Sequence, residues 1–188
     1  MTIRWRGRGT IASMTHRDAI DIVVAKKNAL RRHMRELHAR RRDATGVADL
    51  AVATAMLTQL APARARLGIY HALPHELDVD PLRDLAPEVG RVCWVAPSSA
   101  TAPIPRGIAL DVVLVPAVAL DRSGARLGHG GGWYDRAIVT MRSLCPHLLV
   151  VGCVPWWALR EAGTIPIAAH DVRVDAVMTE KEWILPCP

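Results

Sequence analysis

From about Asp18 to Arg42, apolar residues recur in steps of three and four: Ile20, Val23, Val24, Leu30, Met34 and Leu37, with charges between them. That period places them on one face of a helix, with Asp18 as the expected N-cap. Gly46 breaks the pattern, and a second helix is predicted from about Val47 to Leu60, stopping before Pro62. The period then changes. Leu67–Tyr70, Val92–Val95, Val112–Pro116 and Leu148–Gly152 are short, nearly unbroken apolar runs bounded by turn residues. Helix-like segments lie between them, near Pro81–Ala86 and Tyr134–Leu144, and Ala176–Thr179 reads as a last short strand. Strands without polar alternation are those covered on both faces. The pattern therefore predicts an α/β fold, a three-layer sandwich with a mostly parallel sheet and helices on both faces. Ser98–Gly107 reads as loop. Strand order does not follow from the pattern.

Composition narrows the setting. Of 188 residues, 51% are hydrophobic, but with six Trp, two Tyr and no Phe the core volume must come from Ala, Val, Leu and Ile. No apolar run approaches the roughly 18–20 residues needed to cross a bilayer, and the first residues lack the apolar stretch of a secretory signal, so a cytoplasmic protein is expected. Cys93, Cys145, Cys153 and Cys187 form no CxxC pair and no zinc-ligand spacing, which predicts reduced thiols. Residues 1–14 read as a disordered basic lead-in, with Met14 a second candidate start, and 15–188 as a single domain.

The net charge of +6 is unevenly spread. Residues 1–42 carry 12 Lys and Arg against three acids, whereas 43–188 carry 12 against 15. The basic end suits nucleic acid, phosphate or plain solubility. No nucleic-acid-binding motif accompanies it, and no aromatics beyond Trp5 interleave the cations, so a nucleic-acid module is the least favoured of the three.

Most chemical information sits in Leu120–Arg136. Asp121–Gly124 is a turn, and Gly128, Gly130, Gly131 and Gly132 then precede a helical pattern containing Ala137, Ile138, Met141 and Leu144. Glycines let backbone N–H groups approach a ligand without a Cβ in the way, and a helix N-terminus adds donors and a positive dipole end. Arg126 and Arg136 flank the same point. These parts suit a polyphosphate, although a flexible turn is the plainer alternative. Neither GxxxxGK[ST] nor G-x-G-x-x-G is present. Elsewhere, Lys27 and Arg31 stand at i and i+4 on one helix face and can clamp phosphate oxygens or simply belong to a solvated basic face. Glu76 follows the first strand, where ligands collect in open α/β sheets, but its position alone favours an exposed loop carboxylate. His129 can touch a phosphate or stay a neutral loop residue.

The segment RLGHGGGWYDR resembles the glycine loop R-[LI]-G-x-G-x-G-[YFW]-Y-D-R of the 5-formyltetrahydrofolate cyclo-ligase (methenyltetrahydrofolate synthetase) family. Asp111–Pro116, Leu120-Asp121 with Gly124, His170-Asp171, and Asp175 with Met178-Thr179-Glu180 are similar to other segments of that family. The resemblance implies ATP- and Mg2+-dependent cyclisation of 5-formyltetrahydrofolate to 5,10-methenyltetrahydrofolate, with release of ADP and phosphate, by a monomer whose partner is the small-molecule substrate. It implies that Lys27, Arg31, Arg126, Gly128, His129, Gly130, Gly131, Gly132, Trp133 and Tyr134 bind ATP, and that Glu76, with Trp133 and Tyr134, contacts the folate. Arg126, Trp133 and Tyr134 are the implied catalytic group, and Asp135 and Asp171 the implied magnesium carboxylates. Between Val95 and Asp111 this chain has only Ala96–Leu110, where the family carries additional strands and a G-[IL]-x-E-P element. A divergent nucleotide-binding relative with an altered or lost folate site is therefore the alternative.

Overall fold

The computed structural model of the chain describes residues 16–41, 46–97 and 107–186. The expected lead-in at 1–14 and all of the expected loop at 98–107 except Gly107 lie outside the described residues. Helix α1 spans His16–Arg40 and α2 spans Leu50–Leu60. The strands follow as β1 (Ala65–Tyr70), β2 (Gly90–Ala96), β3 (Val112–Pro116), β4 (Ala119–Asp121) and β5 (Arg126–Leu127). Helix α3 (Trp133–Leu144) then leads to β6 (Leu149–Cys153), β7 (Leu159–Arg160), β8 (Ala176–Met178) and β9 (Trp183–Ile184).

Six strands form the main sheet in the order β2-β1-β3-β6-β8-β9, all neighbours parallel except the β8–β9 pair. Its central strands alternate between two apolar layers. Val113 and Val115 of β3 and Val150 of β6 face one core with Met34 of α1 and Ile138 and Met141 of α3. Val112, Leu114 and Val151 face the other, with Ala53, Met56 and Leu57 of α2. Every side chain of β3 is buried, which is why its sequence shows no polar alternation. The expected three-layer α/β architecture with a mostly parallel sheet is what the chain forms.

Several local expectations are corrected. Asp18 lies inside the first turn of α1 rather than before it. The second helix starts at Leu50, because the Asp49 side chain accepts from the N–H groups of Ala51 and Val52, while Val47 bridges to Asp78. The segment near Pro81 is a 3-10 turn, Asp80–Asp84. Ile20 and Val24 stand 44% and 47% exposed, so the periodic stripe of α1 runs past the core it serves. A small second sheet, β5-β4-β7, and strand β9 were not anticipated, since elements of two or three residues carry no readable period.

The chain turns from β1 outward to β2 and then back across to β3. Strand order thus reverses between β1 and β3, and the carboxyl ends of these strands open on a crevice there.

Candidate active site

That crevice is a cleft of about 1370 Å³. Tyr70 closes β1 and Pro116 closes β3 at its floor, α1 forms one wall, and the 128–132 loop with the start of α3 forms another. Thirteen residues expected from the sequence to carry chemistry line it: Lys27, Arg31, Glu76, Arg126, Gly128 to Gly132, Trp133, Tyr134, Asp135 and Asp171; Arg136 does not, and donates through Nη1 to the Gly131 carbonyl.

Local folding fixes the glycine loop. The β4–β5 hairpin turns at Asp121–Gly124, where the buried Asp121 carboxylate accepts from the N–H groups of Ser123, Ala125 and Ile165. The chain leaves β5 through Gly128 and enters α3 at Gly132. Gly130 has φ of 111° and Gly132 φ of 62°, backbone states that a Cβ disfavours. Gly132 is the N-cap of α3 and supplies no side-chain cap, so the positive end of the helix dipole faces the cleft with the Asp135 carboxylate as the one acid of its first turn.

Charges line this end of the cleft in pairs. Arg126, 9% exposed, bonds through Nη2 to Asp135 Oδ2 at 2.9 Å and lies over the Tyr134 ring at 5.7 Å, while its Nε is buried without a partner. Burial pushes the Asp135 carboxyl up, but the Arg126 charge and the Val172 N–H more than reverse this, leaving it below the ordinary aspartate range. Lys27, 7% exposed, pairs with Asp171, and Ala168 N–H donates to the same carboxylate oxygen. Arg31 donates from Nε to the Gly128 carbonyl at 2.8 Å and from Nη1 to Asn28. Lys26 is exposed and off the cleft, whereas the exposed Arg32 and Arg35 sit along its rim. The Asp135 and Asp171 carboxylates are thus each held beside a buried cation. The Trp133 and Tyr134 rings meet edge to face at 4.9 Å, and burial pushes the Tyr134 phenol well above its ordinary range.

Across the cleft, Glu76 is 3% exposed and accepts from Leu73 N–H at 3.0 Å. Burial pushes its carboxyl up, opposed by that hydrogen bond. Its Oε1 is 3.9 Å from Nδ1 of His129, whose Nε2 faces Nε2 of His75 at 3.2 Å. His75 in turn stands edge-on to the buried His38, at 5.0 Å between ring centroids. Burial lowers the pKa of all three imidazoles, and for His129 the neighbouring His75, Arg126 and Arg31 lower it further. His38 and His75 are the cleft residues that sequence reasoning missed. The position of His75 beside Glu76 was the available signal; His38, far along a helix of many cations, offered none.

Residues 97–180 match the model of the 5-formyltetrahydrofolate cyclo-ligase family. Over 75 residues the chain is 44% identical to the 5-formyltetrahydrofolate cyclo-ligase of Mycolicibacterium smegmatis, covering 40% of this chain and 36% of that protein. Over 80 residues it is 42% identical to the probable 5-formyltetrahydrofolate cyclo-ligase of Caenorhabditis elegans, covering 40% and 37%. The matched stretch thus spans little more than a third of these relatives' own lengths. By structure, the chain superposes on the 5,10-methenyltetrahydrofolate synthetase of Aquifex aeolicus with a TM-score of 0.56 at 20% identity, over 86% of this chain and 93% of that one. The enzyme of the same name from Mycoplasma pneumoniae gives 0.55 at 18% identity, over 82% and 98%. The fold is shared along most of the chain; the sequence likeness is concentrated in its glycine-loop half.

Proposed function

From the premise that residues 97–180 carry the 5-formyltetrahydrofolate cyclo-ligase family match, on a fold shared with two methenyltetrahydrofolate synthetases, we propose that this protein cyclises 5-formyltetrahydrofolate to 5,10-methenyltetrahydrofolate at the expense of ATP. One observation carries the reading. An uncapped helix N-terminus, a glycine loop and three cations converge on one side of a cleft whose other side holds a buried carboxylate.

The chemistry follows from the bond to be broken. A formamide oxygen leaves poorly, and esterifying it with the terminal phosphoryl group makes it a phosphate leaving group. The formyl oxygen attacks the γ-phosphorus and the bond to ADP breaks. N10 then attacks the formyl carbon and loses its proton, and the carbon–oxygen bond breaks to release phosphate. The work left to the protein is alignment and charge stabilisation. Lys27 and Arg31 of α1, with Arg126 and the backbone of Gly128, His129, Gly130, Gly131 and Gly132, hold the triphosphate. Its oxygens replace Asp171 and Asp135 as partners of Lys27 and Arg126. Asp135 and Asp171 would hold Mg2+, which supplies charge neutralisation on the phosphates. Glu76 accepts hydrogen bonds from the N–H groups of the pterin, and Trp133 and Tyr134 pack beside the reacting groups. Arg126, with a buried Nε lacking a partner, is the cation best set to follow the charge that develops on the transferred group.

Mixing the protein with 5-formyltetrahydrofolate and Mg·ATP, and following the strong absorbance of the methenyl product, tests the proposal: ATP-dependent appearance of that band is expected. The confinement of the family match to 97–180, which leaves Glu76 outside it, favours one second reading, a nucleotide-binding relative without folate turnover. Tight Mg·ATP binding with no methenyl product would select it.

A further inference from the structure

His75, Glu76 and His129 line the cleft and each bring one ligand atom to within 4.8 Å of the others. We propose that these three residues form a transition-metal site, taking a borderline divalent cation such as Zn2+ or Co2+ through two imidazole nitrogens and one carboxylate oxygen.

The spacing carries the proposal. Two imidazole nitrogens bound at the usual lengths to one such ion lie roughly 2.9–3.4 Å apart, for octahedral to tetrahedral angles. The two Nε2 atoms already face each other at 3.2 Å. Only one hydrogen fits between them, so one nitrogen presents a lone pair to the other ring, and an ion bound by both displaces that hydrogen as the rings turn to aim both lone pairs at it. Glu76 contributes a negative charge that is almost wholly buried, with the His129 ring 3.9 Å away.

Charge and donor type decide which ion fits. Arg126 is answered by Asp135 and Lys27 by Asp171, whereas the Glu76 carboxylate faces the His129 imidazole. Two nitrogen donors of three select a borderline metal over the hard, oxygen-seeking Mg2+. His38 supports the arrangement from behind: 8% exposed, it bonds Val118 O through Nε2 and sets its ring edge-on against His75. Three protein ligands leave a coordination position open toward the cleft, the arrangement of zinc sites that bind a further small ligand. Glu76 is also the residue assigned above to the pterin. An occupied site would therefore exclude folate, an effect that rests on that reading while the metal site does not.

Titrating the metal-free full chain with Co2+ tests this without reference to activity. The native protein is expected to bind one equivalent with the visible ligand-field bands of low-coordinate cobalt, unchanged by a large excess of Mg2+ and removed by Zn2+. His75→Gln and His129→Gln should each weaken binding by no less than the roughly 10–100-fold that loss of an outer-shell partner costs. Their circular dichroism should match the native chain. Absence of the bands at millimolar Co2+, displacement by Mg2+, or unchanged affinity in both variants would overturn the proposal. Absence of folate turnover in the metal-free chain, with the cobalt spectrum appearing on loading, would sink the functional reading alone.

Discussion

Arg126 is a packed side chain to which the proposed function also gives a phosphate to hold. Its side chain and that of Asp135 are 5% and 16% exposed, so removing one partner strands the other charge out of water. Arg126→Met is expected to destabilise the protein by roughly 3–5 kcal/mol. The double variant Arg126→Met/Asp135→Asn should regain most of that loss, because no unpaired charge remains. Nucleotide affinity should fall in both, and urea titrations beside ATP calorimetry separate the two effects. A double variant that recovered ATP binding along with stability would reduce Arg126 to a structural residue. The importance of Arg126 is legible in sequence, since it flanks a glycine run. Its partner is not, because Asp135 reaches it only once α3 has turned back over β5.

At the level of elements, the loop before α3 depends on backbone states rather than side chains. Gly132→Ala places a Cβ at φ of 62° and is expected to cost about 1–2 kcal/mol, with a rise in the KM for ATP that exceeds any change for folate. Parallel strands β1 and β3 are tied at the edge opposite the cleft, where Asp111 accepts from Arg66 Nε, Nη2 and N–H. Hydrogen bonds from the Arg66 side chain hold the Asp111 carboxyl below its ordinary value, against the opposing effect of burial. A depressed carboxyl stabilises the fold fully above its unfolded value, and that contribution is lost as pH falls through the native one. Asp111→Asn should therefore lower the unfolding midpoint above about pH 4 and flatten the acid limb below it, as followed by urea unfolding at a series of pH values. The three helices were readable because each spans enough residues to show a period, and the main strands because each is a nearly unbroken apolar run. The helix boundaries shifted where one capping residue, Asp49, outweighed it. Strands β4 and β5 form a hairpin too short to show a period, and β7 joins them through a contact distant in sequence, Leu120 with Leu159, which no local pattern encodes.

For the molecule as a whole, β3 is the common wall of both cores. Leu114 is fully buried in the layer under α2, one residue from Val113 and Val115 in the layer under α1 and α3. Leu114→Ala is expected to cost about 2–5 kcal/mol and to lower the stability of both layers in one transition. Separate transitions by near-UV and far-UV circular dichroism would contradict that coupling. The cleft location was foreseeable only as a rule about strand ends, because the order β2-β1-β3 that creates the reversal is set by packing. One further consequence attaches to α1, the longest helix. Its grip on the rest of the chain at Lys27 and Arg31 is electrostatic, through Asp171 and the Gly128 carbonyl, while Ile20, Ile22 and Val24 beyond them stay exposed. Added electrolyte should therefore loosen this arm and weaken nucleotide capture in parallel, and saturating nucleotide should slow deuterium uptake along α1 by trading a carboxylate for a triphosphate that meets more of its cations.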